Sequence, residues 1–459
     1  MSQHKHQDLF NEPACAKNRD KDETARKKGC GGKSLTPGNA AGGCAFDGAK
    51  IVLQPITDAA HLVHGPIACE GNSWDSRHAL SSGPQLYRTG FTTDISELDV
   101  IYGGEKRLFR AIKEIATRYS PPVIFVYQTC VTAMIGDDIE TVCKVATERF
   151  GLPVIPVNAP GFVGKKNFGT KLAGEVLLNH VIGTEEPETT TPTDINLLGE
   201  YNVSGDLWAV TPLFQRLGIR LLTSITGDAR YHQVTKAHRA RVNMMVCSQA
   251  LINVARKMEE RWGIPYFEGS FYGVEATGTS LRTIAKILVE RGAEAVLVDR
   301  TEALIAAEEA RVATELAPIL ADLKGKKVLL YTGGVKSWSM ISALHYAGMI
   351  VIGSSTRKAT KEDKARAAAL MGDEGETIDN LPQRDMYRML KNREADIMLS
   401  GGRTQFVALK AMTPWLDSNQ ERHNAYAGYD GTITLLRAIH KELTNPVWTQ
   451  VRTPAPWEA

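Results

Sequence analysis

The chain reads as an α/β protein: three Rossmann-like domains with mainly parallel sheets, plus a flexible N-terminal tail. Three observations predict this fold class. Short apolar runs recur from Ile51 onward, each followed by a stretch with helical spacing. Several runs end on glycine corners, such as Gly333-Gly334 after Tyr331-Thr332 and Gly401-Gly402 after Ser400. At 459 residues the chain is also too long for one ordinary core.

Residues 1–43 stand apart. Arg19–Lys33 is charged and glycine-rich with almost no large apolar side chain, so this tail is expected to be mobile, with Cys15 and Cys30 riding on it. In the first domain, 44–190, Pro122–Tyr127 reads as a buried strand, Asp137–Phe150 as a helix, Val154–Val157 as a strand and Gly161–Gly169 as a loop. Glu185–Thr193, rich in Thr and Pro, reads as a linker. The second domain, 191–320, offers strands at Ile195–Leu198, Ile219–Leu222 and Val242–Val246, with helices at Leu207–Leu217, through Met258, and at Thr301–Leu323. The third, 321–459, offers Lys327–Tyr331, a helix to Tyr346, Met349–Ile352 and Asp396–Ser400. The β-turn-α recurrence implies parallel strands covered by helices.

Composition narrows the function. Charge is nearly balanced, with 54 basic and 52 acidic residues, which argues against a dedicated nucleic-acid surface. No apolar run is long enough for a membrane span, and the opening MSQHKHQDLF lacks a secretory apolar core, so a cytoplasmic setting with reduced thiols is expected.

In that setting seven cysteines without a CxxC pair carry the most chemical information. Cys130 and Cys247 each follow an apolar strand run, where open parallel sheets bind ligands. Cys44 follows Gly42-Gly43, and Cys69 lies just after Gly65-Pro66, where backbone amides can approach a sulfide-bearing cluster. Cys143 falls on the apolar face of a helix and is expected to pack. Thiolates at Cys44, Cys69 and Cys130 leave a four-iron cluster one ligand short, which suggests a fourth from another subunit. Lys336, just past the Gly333-Gly334 corner, can hold a negative charge. His61 and His64, three apart and just before Cys69, have a spacing that suits a place near such a cluster, but read rather as satisfied histidines in a helix-to-loop turn, and His423 reads as a surface residue. HExxH, GxSxG and dinucleotide fingerprints are missing, which disfavours hydrolysis and an ordinary nucleotide-dependent enzyme.

Several segments resemble nitrogenase component 1, whose superfamily includes oxidoreductases: His64-Gly-Pro-Ile-Ala-Cys69, Thr129–Asp138, Val242–Cys247, Tyr331–Gly334 and Tyr426-Ala-Gly-Tyr-Asp430. Cys44-Ala-Phe-Asp-Gly48, Ser73-Trp-Asp75, Gly227–Tyr231, Gly334–Trp338 and Asp417–Arg422 are similar to its iron–molybdenum cofactor biosynthesis branch. The resemblance implies a [4Fe-4S] cluster on Cys44, Cys69 and Cys130, completed by a cysteine of NifN in an α2β2 heterotetramer. It implies that Cys247 anchors an iron–sulfur precursor of the iron–molybdenum cofactor, with Asn419, Lys336, Asn167, Lys171, Gly333 and Gly334 around it. NifB would donate the precursor, the NifH iron protein would bring electrons with transient molybdenum and homocitrate, and apo-nitrogenase component 1 would accept the product. Where the catalytic subunit has a histidine at the molybdenum end, this chain has Ser418-Asn419-Gln420, and a carboxamide is a poor ligand there. Where the catalytic subunit places a histidine over the cofactor, the loop Asn167–Lys171 has none. The expectation is a scaffold rather than a stand-alone enzyme, against the alternative of a catalytic nitrogenase-like or tetrapyrrole reductase subunit.

Overall fold

Thirteen β-strands in three wholly parallel sheets organise the described part of the chain. The computed structural model describes residues 43–73, 79–246, 251–332, 336–356, 359, 361–378, 381–419 and 422–454. Cys15, Cys30, Cys247, Gly333 and Gly334 lie outside them, as does the Lys336 side chain.

The first sheet holds β1 (Ala60–His64), β2 (Phe91–Thr92), β3 (Ile124–Gln128) and β4 (Val154–Val157) in the order β2-β1-β3-β4. The second holds β5 (Asp194–Leu198), β6 (Arg220–Ile225), β7 (Val242–Met245) and β8 (Tyr266–Glu268) in the order β6-β5-β7-β8. The third holds β9 (Lys327–Tyr331), β10 (Ile350–Ser355), β11 (Glu376–Ile378), β12 (Ile397–Ser400) and β13 (Trp415–Asp417) in the order β11-β10-β9-β12-β13. The central strands are apolar without interruption because helices cover both faces. All five residues of β1, β3 and β5 are buried.

Each sheet extends in both directions from the strand that comes first in sequence, so connections leave its faces in opposite directions at one point. Those switch points lie between β1 and β3, β5 and β7, and β9 and β12. Cys69 follows β1, Cys130 follows β3, and Thr332 and Gly401 follow β9 and β12. In sequence, Cys247 follows β7.

The sheets share cores. Val63, Phe125 and Tyr127 of the first pack in one apolar cluster with Leu198 and Met245 of the second. Ile195, Leu197 and Met244 pack with Val328, Leu330 and Leu399 of the third. Cys143 is fully buried on the helix Ile139–Phe150, packing as expected.

Three expectations need correction. Gly161–Gly169 is a loop only at its start, because a helix runs from Lys166 to His180 and includes Asn167 and Lys171. Gly169 and Gly174 lower its intrinsic propensity, so tertiary packing carries it. His61 and His64 lie on β1, fully buried, rather than in a turn. The long helix starts at Val296 rather than Thr301. The Glu185–Thr193 segment is tied down: Glu185 meets His232 at 2.8 Å, and Glu186 meets Arg239 at 2.6 Å.

Candidate metal centre

The carboxyl ends of β1 and β3 are stitched together before either cysteine is reached. The carbonyl of His64 accepts from Thr129 N at 3.2 Å, Thr129 Oγ1 at 2.9 Å and Thr132 Oγ1 at 3.0 Å. The His64 ring sits between Thr93 Oγ1 at 3.1 Å and Asp137 Oδ2 at 2.9 Å. Burial holds its pKa below the usual imidazole value, with Asp137 working the other way. Asp137 also accepts from the Gly104 amide at 2.9 Å. From this clamp the helix Ile67–Ser73 carries Cys69, and the turn Cys130–Met134 opens on Cys130.

Cys44 arrives from the opposite side. It is the N-cap of the helix Ala45–Leu53, and its side chain makes no capping bond, leaving the thiol available. Its backbone bridges Lys165, with Ala45 N donating to Gly164 O at 2.9 Å and Lys166 N to Gly43 O at 2.8 Å. The helices Ala45–Leu53 and Lys166–His180 touch backbone to backbone. A Cβ on Gly48 would overlap Lys166 O, and one on Gly169 would overlap Ala45 O. Only glycine permits that approach.

Two of the sulfurs, those of Cys130 and Cys44, then meet at Gly161, and Cys69 lies within electrostatic reach of both. Its amide donates to Cys130 Sγ at 3.1 Å, and a Cβ there would stand 2.9 Å from Cys130 Sγ and 3.2 Å from Cys44 Sγ. All three thiols are free and partly exposed. The Cys69 pKa is raised first by burial, then by Cys130 and Cys44; the Thr129 hydroxyl opposes this. A positive metal centre beside Cys69 would relieve the repulsion its thiolate meets from these two neighbours. Among the described residues no three His, Cys, Asp or Glu side chains close around a single ion. A cluster takes each thiolate on a separate iron and needs them further apart. The soft donor set and the amide on sulfur therefore fit an iron–sulfur cluster better than a lone zinc.

Large apolar side chains stand exposed on the elements around the thiols. Ile67 is 60% exposed, Met134 78% and Phe162 60%, and Val163 and Phe168 are exposed beside them in sequence. Ile67, Met134, Phe162 and Val163 lie on elements that hold one of the cysteines or Gly161, and Phe168 lies on the helix Lys166–His180 that packs against the helix capped by Cys44.

A second polar edge lies on the third sheet. Ser400 pairs with Tyr331 on one side and Asp417 on the other, so Thr332, Gly401 and Ser418 form the next row beyond the strands. Thr332 Oγ1 and Ser418 Oγ are buried without hydrogen-bond partners among the described residues. Asn419 stands beside this row, with its amide nitrogen 3.1 Å from where a Gly401 Cβ would be. The segment after it is fixed by Arg422, which pairs with Asp206, donates to Val203 O at 3.2 Å and reaches Asn419 O at 3.1 Å. Asp206 also accepts from Tyr272 Oη and from the Tyr426 amide at 2.9 Å.

The nitrogenase component 1 type oxidoreductase family matches residues 44–444. A relative from Bradyrhizobium diazoefficiens, called nitrogenase iron-molybdenum cofactor biosynthesis protein NifE, is 61% identical over 453 residues, covering 99% of this chain and 83% of its own. A relative of the same name from Klebsiella pneumoniae is 50% identical over 459 residues, covering 98% of each chain. The chain belongs to the NifE group of the nitrogenase component 1 family. A solved structure of nitrogenase Cp1 at pH 5 superposes with a TM-score of 0.83 at 28% identity, covering 92% of both chains. This establishes the nitrogenase-like α/β fold.

In this NifE-group chain the structure brings Cys44, Cys69 and Cys130 together and places Asn419 at a separate sheet edge. Asn167 and Lys171 are exposed on the helix Lys166–His180, where Asn253 Nδ2 donates to Lys171 O at 3.1 Å. His423 is exposed, as expected. Sequence reasoning missed Gly161 and the buried Lys50–Glu70 ion pair beneath the NifE-group cysteines. Burial outweighs their mutual attraction, pushing Lys50 down and Glu70 up. A lysine six residues after Cys44 and a glutamate right after Cys69 look like surface residues in a bare sequence, so no signal singled them out.

Proposed function

We propose that this chain is a scaffold subunit in the biosynthesis of the nitrogenase iron–molybdenum cofactor. It holds an iron–sulfur precursor as cargo while molybdenum and homocitrate are inserted, then releases the product to apo-nitrogenase component 1. The observation that carries the reading is the meeting of Cys130 and Cys44 at Gly161 with Cys69 close enough to feel both, on elements that also carry exposed apolar side chains. Three thiol ligands on elements that also expose apolar side chains suit a resident [4Fe-4S] cluster whose fourth thiolate comes from a partner chain, for which NifN is our assignment. That cluster would supply one-electron transfer at the subunit boundary. Gly161 would donate its amide to the Cys130 sulfur, and the His64 clamp would hold the Cys69 and Cys130 loops in register.

The cargo is assigned to the crevice outside the second and third sheets, with Cys247 gripping one end. The Thr332 and Ser418 hydroxyls, without hydrogen-bond partners among the described residues, support a polar occupant there, and Asn419 offers only a weak amide at the far end. Lys336, Gly333 and Gly334 follow β9 in sequence and are assigned to the same crevice. Asn167 and Lys171, exposed on their helix, are assigned to the precursor pocket as well. One firm thiolate with a weak opposite ligand lets the cargo leave. NifB as donor and NifH as the source of electrons, molybdenum and homocitrate complete the proposed route, set in the cytoplasm. Among the described residues no helix is long and apolar enough to cross a membrane.

The test mixes the complex, purified anaerobically, with cofactor-deficient nitrogenase, molybdate, homocitrate and the iron protein. Activation of the acceptor is expected. No activation, together with substrate reduction by the complex alone, would instead favour a catalytic reductase subunit.

A further inference from the structure

The helix that presents Cys69 is held in an unusual way. Within Ile67–Ser73 the buried residues are Glu70 and Ser73, both polar, while Ile67 faces outward and Cys69 is half-buried. Both buried side chains end on one group: Lys50 Nζ pairs with Glu70 Oε2 and donates to Ser73 Oγ at 3.1 Å. Ser73 Oγ in turn donates to the Cys69 carbonyl at 3.0 Å. Lys50 belongs to the helix Ala45–Leu53, whose N-cap is Cys44, and is itself 1% exposed.

One ammonium therefore links the segment of Cys44 to the segment of Cys69. Apolar docking tolerates sliding, because dispersion and burial have little direction. A buried ammonium shared between a carboxylate and a hydroxyl does not, because any displacement leaves charge unpaired in a dry setting.

We propose that Lys50 is a positioning residue for Cys69, fixing its thiol against Cys44 and Cys130. The proposal uses the reading of the three cysteines as cluster ligands only in the second arm of its test. In the first arm, iron is chelated from the full chain under reducing conditions, and alkylation of each cysteine is followed by mass spectrometry. Lys50→Met should label Cys69 ~10-fold faster, since labelling tracks the open population. Cys143 labelling should be unchanged. Where Lys50→Met alone fails to fold because Glu70 is stranded, Lys50→Met with Glu70→Leu removes both charges and decides the matter. In the second arm, electron paramagnetic resonance on the iron-loaded complex should show a shifted or broadened resident-cluster signal in the double variant, restored toward wild type by Lys50→Arg with Glu70 intact. Wild-type Cys69 labelling in the double variant would overturn the proposal. Altered labelling with no iron bound even by wild type would keep it and remove the cluster reading.

Discussion

The amide of Gly161 donates to Cys130 Sγ from 3.1 Å, and the missing side chain of Gly161 is the space shared by Cys130 and Cys44. Residue 161 is therefore part of the thiol site although it carries no side-chain chemistry. Gly161→Ala would put a methyl group 2.9 Å from one sulfur and 3.2 Å from the other. The predicted outcome is loss of most resident-cluster iron with little change in thermal unfolding. Iron and acid-labile sulfide analysis beside a melting curve checks it, and full iron content in the variant would count against the site.

His61 gives the first sheet a pH dependence. The ring is fully buried, stacked on Phe125 at 5.6 Å and bonded to Tyr127 Oη at 2.8 Å. Burial, its largest influence, holds its pKa down to about 3. The unfolded chain takes up this proton below about pH 6.5 and the folded chain does not, so stability is full above that pH and falls as pH drops toward 3. The slope is ~1.4 kcal/mol per pH unit for one proton. His61→Gln should flatten the denaturant-unfolding profile between pH 6.5 and 5 by about one proton. His64 adds a background of the same sign, since burial lowers it too. Identical slopes in wild type and variant would refute the assignment.

Much of this architecture was legible in the chain, for identifiable reasons. Val154–Val157 and Lys327–Tyr331 match their strands because uninterrupted apolar runs between turn residues have few other solutions. Cys44, Cys69 and Cys130 could be singled out because thiols beside glycines and strand ends are chemically conspicuous. The helix Lys166–His180 was obscured by glycines whose value lies in a neighbour 121 residues away, as Gly48 and Gly169 exist for one helix crossing. Lys50, Glu70 and Arg422 were hidden for a similar reason. A charged residue reads as surface until tertiary structure supplies its partner.

Arg422 and Asp206 should behave as a lock on the Asn419 segment. Both are almost wholly buried, and Asp206 also holds Tyr272 and the Tyr426 amide. Arg422→Met strands a buried carboxylate and is expected to cost about 3–5 kcal/mol. Arg422→Lys should rescue little, because an ammonium cannot reproduce the contacts to Asp206, Val203 and Asn419 together. Denaturant titration checks both, and a near-neutral Arg422→Met would show that the lock contributes nothing.

Asn419→His probes cargo release. Imidazole is the better ligand for such metals, so a cargo in the adjoining crevice should be held longer. Transfer to cofactor-deficient nitrogenase is predicted to slow with the iron content of the complex unchanged or raised. Unchanged transfer kinetics would take away the weak-ligand explanation of release.

Cys247→Ala tests most directly whether resident cluster and cargo are separate. Iron counting and electron paramagnetic resonance on the partner-bound complex should find the resident-cluster signal intact, the additional iron gone and maturation of apo-nitrogenase abolished. Unchanged iron content and unchanged maturation in Cys247→Ala would contradict the scaffold account.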